Sequence, residues 1–393
     1  MSFDLEVVTT RRIEFSQLAN FVATLAGFQV TGTLGNEANV LVTRQTASKT
    51  HSSFTVDGPF KVELDDLTDE IVAATLDPKW LVQISAPASA TKTDLKAAKD
   101  MARFIAESCQ GSVFDPQSGR VIWPRQKATR YIASSNDERI RLVGLDWFLP
   151  VSLRPSTTAT TMLQILRRTF PESLPTRFGT FEPLQHRLEA GDDQPFVKLW
   201  SEQSDVEFGG SFYWKAKSPC YGGSVFFPDW RDKFRPEGVD RAIHLAVSID
   251  GRALHSDPRW CETVVTLFGA IARRLRAFYA MGYVQRDVIA RTRSIWFDGK
   301  TEGDPIIPGR WWLGLPPMPT WLTWFGAGYA REVEKSLPQH ATSITPEGIL
   351  LRLGAEPLDR DELRGSFPRL PEDLVARKEG NDFRAASRIA SLE

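Results

Sequence analysis

The sequence predicts an α+β protein made of two segments of mainly antiparallel sheet, each with helices packed on one face. Two observations predict this class. Short apolar runs bounded by Gly, Pro and polar turns alternate with stretches of helical period. The order of these runs (strand, helix, several strands, helix, strands) occurs once in the first third of the chain and again after a polar break, which is the layering of an α+β fold. The shared order allows the two segments to be related, although no residue-level repeat is present.

The first segment opens with the short run Leu5-Glu6-Val7-Val8, followed by a helix over about Glu14 to Ala26. Leu18, Phe21, Val22 and Leu25 share one face of that helix, and Gly27 stops it. Strands are expected at Phe28 to Thr33, Asn39 to Arg44, Ser53 to Leu64 and Trp80 to Ile84. A second helix spans about Thr93 to Cys109, with Leu95, Ala98, Ala102 and Ile105 in register. Two runs, Ser112 to Asp115 and Arg120 to Trp123, flank a Pro-Gln-Ser-Gly turn and read as a hairpin. Ser134 to Glu138 reads as a linker, dividing the chain into an N-terminal domain, 1-133, and a C-terminal domain, 139-393.

In the second segment a strand runs from Ile140 to Leu153 and a helix from about Ser156 to Phe170. Extended runs are expected at Phe196 to Glu202, Gly209 to Trp214, Ser224 to Phe227 and Ile243 to Ile249. A long helix, Pro258 to Ala280, places Val264, Phe268, Ile271, Leu275, Phe278 and Tyr279 on one side. The strand Ser294 to Asp298 leads into a tryptophan-rich stretch, 308-329, that holds four of the twelve Trp. A short helix, a strand at Gly348 to Leu353 and a charged segment follow, and the residues from about Leu374 read as a loose helix or tail on the surface.

At 393 residues, 42% hydrophobic and 25% charged, the chain can bury a large core without staples. Cys109, Cys220 and Cys261 are too dispersed for a disulfide framework or a zinc site, which suits a reducing compartment. Neither a secretory signal at Met1 to Glu6 nor an apolar run of about 20 residues is present, so a cytoplasmic chain away from the membrane is expected. A net charge of −1 argues against a nucleic-acid partner.

No familiar catalytic constellation emerges. The five histidines form no His-x-x-x-His pair, and His244 lies inside an apolar strand as a satisfied core or interface histidine. Asp298, Glu302 and Asp304 crowd one loop but lack the spacing of a Ca²⁺ loop. Gly299-Lys300-Thr301 lacks the leading glycine of a P-loop, and Ser224 lacks the glycine of a nucleophile elbow at position 226. Cys220 is expected in a loop where it could be exposed. Catalytic residues, cofactor and metal are therefore all expected to be none.

Three groups of residues carry a family resemblance: Pro175-Thr176-Arg177-Phe178-Gly179-Thr180-Phe181-Glu182-Pro183; Phe208-Gly209-Gly210-Ser211-Phe212-Tyr213-Trp214 with Gly222-Gly223-Ser224-Val225; and Gly309 to Pro316 leading into Trp321 to Tyr329. Over roughly Ile140 to Leu337 the chain resembles immunity proteins of bacterial toxin systems, in particular those like the immunity protein 52 family. The resemblance implies a cytoplasmic antidote without a reaction of its own. Such a protein binds and occludes a cognate toxin effector, often one delivered by type VI secretion; the warheads of these systems include restriction-endonuclease-fold nucleases.

On that basis the expected partner contacts are the acid cluster Asp65, Asp66, Asp69 and Glu70, with Arg310 and Trp312 as anchors. Of Trp311, Trp312, Trp321 and Trp324, about two are expected to be buried. Two alternatives stand beside this reading. One is a small-molecule enzyme with an aromatic-lined pocket between the two domains, served by the acidic loop at Asp298. The other is a homodimer that covers sheet edges.

Overall fold

The computed structural model describes residues 3–34, 39–45, 49–124, 138–231, 239–291, 294–297, 301, 311–379, 382–390 and 392. The chain falls into two compact units, Met1–Ser134 and Ser135–Glu393. Each is built on an antiparallel sheet, and the protein is of the α+β class.

The first unit contains β1 (Phe3–Thr9), α1 (Phe15–Thr24), β2 (Phe28–Leu34), β3 (Asn39–Gln45), β4 (Thr50–Lys61), α2 (Asp69–Ala74), β5 (Trp80–Ala86), α3 (Lys92–Cys109), β6 (Gly111–Asp115) and β7 (Arg120–Trp123). Its strand order is β2-β3-β4-β5-β1-β6-β7. Leu5, Val7, Val56, Val82 and Ile84 point to one face, where α1 and α3 bury Leu18, Val22, Ala98, Ala102 and Ile105 on them. Phe21 and Phe104 stack at 4.3 Å between the two helices. Gly27 ends α1 with φ of +83°, a conformation that costs glycine little. The helix α2, which sequence periodicity does not reveal because it is under two turns long, packs Ile71 on the opposite face with Val8, Leu81 and Phe114.

The second unit contains β8 (Glu138–Leu149), α4 (Pro155–Thr169), β9 (Arg177–Gly179), β10 (His186–Arg187), α5 (Gln194–Ser204), β11 (Ser211–Lys215), β12 (Cys220–Phe226), β13 (Ile243–Asp250), α6 (Gly251–Ser256), α7 (Pro258–Arg274), β14 (Tyr279–Arg291), β15 (Ser294–Trp296), β16 (Leu322–Gly326), α8 (Ala327–Val333), β17 (Thr342–Thr345), β18 (Gly348–Arg352) and α9 (Arg360–Leu363). The order is β10-β9-β11-β12-β13-β8-β14-β16-β18-β17, with β15 pairing β14.

The two orders correspond over six neighbouring strands. In each unit the first strand lies between the strand that precedes the long helix and the strand that follows it: β1 between β5 and β6, β8 between β13 and β14. In each, a helix follows the first strand, and the long helix leads to the next strand through a residue with positive φ, Gln110 at 56° and Arg276 at 53°. β9, β11, β12 and β13 stand where β2, β3, β4 and β5 stand.

Three sequence expectations are corrected. The run Phe196 to Glu202 is not extended but helical: Pro195 starts α5, and Phe196, Leu199 and Trp200 bury themselves at i, i+3 and i+4. The long helix stops at Arg274, and Phe278 and Tyr279 lead into β14, whose pairing with β8 on one side and β16 on the other outweighs the helical period. The C-terminal residues are not a loose tail, because Leu374, Ala376, Ala386 and Ala390 are buried and Leu374 joins the core of this unit. The linker expected at Ser134 to Glu138 lies outside the described residues up to Glu138, which begins β8.

Candidate partner-binding surface

The residues expected to meet a partner fare differently in the structure. Trp312 is fully buried, at 0% exposure. Its indole packs on Phe148 at 4.8 Å, Phe278 at 5.0 Å and Tyr279 at 5.4 Å and donates to Tyr329 Oη at 2.8 Å. A side chain without accessible surface cannot touch a partner of the folded protein, so the expectation for Trp312 is corrected. Three of the four tryptophans, Trp312, Trp321 and Trp324, are buried, one more than expected, and Trp311 is half-buried. Trp324 donates to Ala277 O at 2.9 Å and Trp321 to Gly354 O at 3.2 Å, so tertiary pairing of each N–H holds these rings inside. Arg310 and the loop of Asp298, Glu302 and Asp304 lie outside the described residues.

The acid cluster sits on the layer formed by the 3-10 turn Leu64–Asp66 and α2. Asp66 is half-buried, with Oδ2 accepting from the Glu63 N–H at 3.0 Å, and Glu70 is half-buried as well. The side chains of Asp65 and Asp69 lie outside the described residues. Leu64, Val72 and Leu76 on the same layer are exposed, Leu76 at 90%.

The motif glycines of the second unit serve close packing. A Cβ at Gly223 would collide with the Trp214 ring and Ala246 O, and one at Gly210 with Gln203 O. Arg177 donates to Leu184 O across the turn that follows β9. Cys220 is buried at the start of β12 instead of exposed in a loop, and burial pushes its thiol well above the ordinary value. Among the described residues no group of three or more His, Cys, Asp or Glu is placed to hold a metal ion, and no helix is long and apolar enough to cross a membrane.

A surface that the sequence motifs did not mark as a contact site emerges from sheet register. Residues directly opposite on antiparallel strands point to the same face. Tyr213, Ser224, Ala246 and Asp146 form one row across β11, β12, β13 and β8, and Ser211, Phe226, His244 and Phe148 form the next. Trp312 covers the β8 and β14 end of this face. The β11–β12–β13 part stays open, with Tyr213 39% exposed and Phe226 half-buried against it at 5.8 Å. The His244 ring stacks between Phe226 at 5.7 Å and Phe148 at 5.0 Å, and its Nε2 meets Asp146 Oδ1 at 2.8 Å. Segments before β11, after β12 and around Trp311 add further rings. Arg231 lies 4.2 Å over Phe208, which is 56% exposed, and Arg241 lies between Trp230 at 5.7 Å and Trp311 at 6.0 Å. Tyr213 and Phe208 are rigid amphipathic or apolar groups of the kind that carry binding energy at interfaces.

The first unit supplies an internal comparison. Its equivalent strands, β4 and β5 beside β1, turn Thr55, Asp57, Gln83, Ser85, Asp4 and Glu6 to the face opposite α1 and α3, beyond the patch that α2 covers. An antiparallel sheet with one solvated face normally looks like that. The same half-face is thus polar in one unit and aromatic in the other.

No protein-family model matches the chain, and no curated protein does. Among solved structures, the Pseudomonas aeruginosa T6SS protein PA0821 is a weak neighbour, with a TM-score of 0.37 and 15% identity over 57% of this chain and 74% of that one. Likeness at that level carries no argument about function, so the resemblance to immunity proteins rests on its ordered motifs.

Proposed function

We propose that the protein works by binding another protein, and that this partner is a cognate antibacterial toxin, which it neutralises by occluding the toxin's active site in the cytoplasm. The motif series of the second unit motivates the choice of partner. The observation that supports a binding role is the contrast between the units: the fold tolerates a polar half-face on β4–β5, yet the equivalent strands β12–β13 hold Phe226 at the surface, with Tyr213 of β11 against it and Phe208 beyond their end. Exposed aromatic groups cost solubility and are kept where they find a partner.

The test pairs the protein with the product of the reading frame beside its own gene. Tight association and rescue of cells expressing that product are expected. Replacing Tyr213 and Phe208 together by Ser leaves circular dichroism unchanged and weakens binding about tenfold or more, chiefly through faster dissociation. A neighbouring metabolic operon, or a folded double variant that binds like the parent, overturns the assignment.

A further inference from the structure

At one end of the second unit's sheet a cavity of about 310 Å³ is lined by Arg141 of β8, His255 of α6, the Glu356-Pro357-Leu358 turn and Glu362 of α9. Its volume is at the small end of the range for ligand pockets. Its charges are arranged unevenly. The Arg141 guanidinium is already committed: Nη2 meets Glu362 Oε2 at 2.6 Å and Asp359 Oδ2 at 3.4 Å. That pairing holds the Glu362 carboxyl below its ordinary range. Arg286 meets Asp359 at 3.8 Å and Asp361 at 2.7 Å. Glu356 stands apart from this group. Among the described residues the charged group it meets is His255 Nδ1 at 3.5 Å, an imidazole that carries charge only when protonated. Pro357 and Leu358, both half-buried, supply apolar lining beside it.

We propose that this cavity binds a small organic cation, an alkylammonium or alkylguanidinium group, with its alkyl stem on Pro357 and Leu358 and its charged head on the Glu356 carboxylate. An anion finds no uncommitted cation here, because both carboxylate neighbours of Arg141 would have to be displaced first. A cation meets a carboxylate whose existing partner is an exposed imidazole, and a charge-assisted hydrogen bond over an apolar wall favours a head group on a stem. The cation can be free or be a Lys or Arg side chain presented by a polypeptide, and the chemistry is shared. The site is separate from the aromatic surface, so its failure leaves the proposed function untouched.

The experiment titrates the full chain with n-butylamine, agmatine and butyrate while following the leucine methyl resonances by NMR. Saturable shifts with both cations and none with butyrate are expected. Glu356→Gln, a change at a half-exposed side chain, should weaken cation binding about tenfold with an unchanged melting temperature, and His255→Ala should preserve or tighten it. N-acetyl-arginine amide separates the sources: binding as tight as agmatine assigns the cavity to a side chain, and weaker binding assigns it to a free amine. Absence of saturable shifts, equal binding of butyrate, or full binding by the folded E356Q variant overturns the proposal.

Discussion

Asp146 lies 1% exposed in the middle of the larger sheet, with Oδ1 on His244 and no partner for Oδ2 among the described residues. A buried carboxylate in that position depends on its histidine, because loss of one member strands the other in a low-dielectric interior. His244→Phe keeps the stack between Phe148 and Phe226 but removes the bond. We expect it to cost about 3 kcal/mol in urea unfolding, and the paired change Asp146→Leu with His244→Phe to recover much of that loss. A double variant no more stable than His244→Phe alone would show that the cost is steric.

In the first unit Asp94 is the counterpart in difficulty and the opposite in outcome. Burial acts to raise its carboxyl, but hydrogen bonds from the Thr91 hydroxyl and N–H, from Ser53 and from His51 outweigh it and bring the value down to about 2. The folded value lies below the unfolded one near 3.9. The stabilisation, about 2 kcal/mol, is therefore fully present above pH 4 and lost as pH falls toward 2. Asp94→Asn should flatten the stability profile between pH 4 and 2 measured by thermal unfolding. A parent-like slope in that window would place the acid sensitivity on other groups.

At the scale of elements, the strands of the second unit owe their close approach to glycine as much as to their apolar residues. Gly223 faces Trp214 across β11 and β12. Gly223→Ala has no space for its methyl and should destabilise by about 1–3 kcal/mol, read as a lower urea midpoint. Trp312 joins α8 to β8 and β14 through its ring contacts and its bond to Tyr329. Trp312→Ala should cost about 3–5 kcal/mol. Any loss of partner binding should then follow loss of fold, so that under conditions where the variant is fully folded its dissociation rate matches the parent.

At the scale of the whole molecule, two units share a strand order and differ in what they add to it. The second extends its sheet with β16, β18 and β17 and folds its C-terminal residues onto its core. The first inserts an acidic layer. Between Glu63 and Asp77 there are six acidic residues and no Lys or Arg, with exposed Leu64, Val72 and Leu76 among them. If a toxin presents a basic substrate-binding face, this layer would act on encounter. Neutralising Asp65, Asp66, Asp69 and Glu70 together should lower the association rate several-fold at low salt, with little change at high salt. A loss that persists in salt, or lies in the dissociation rate, would assign the segment to packing.

Local sequence determined the elements that local forces decide. The periods of 2 and 3.6, with Gly27 and the hairpin turn, locate β1, α1, α3, β6 and β7 to within a few residues, because each buries one face and stops at a turn or a cap. Where pattern and partner disagreed, tertiary structure decided. Phe278 and Tyr279 fit the face of α7 but pair as strand, since β8 and β16 offer hydrogen bonds on both sides. Phe196 to Glu202 reads as extended in a short window, yet it is helical because Phe196 and Trp200 fit a layer of rings from β9 and β11. Trp312 stood out in the sequence as a surface anchor and is core, while Tyr213 and Phe208 belong to a motif in the sequence that gave no sign of contact residues and are exposed in space. Composition records how many aromatic rings a chain has; only register and the covering of each sheet face determine which of them meet water.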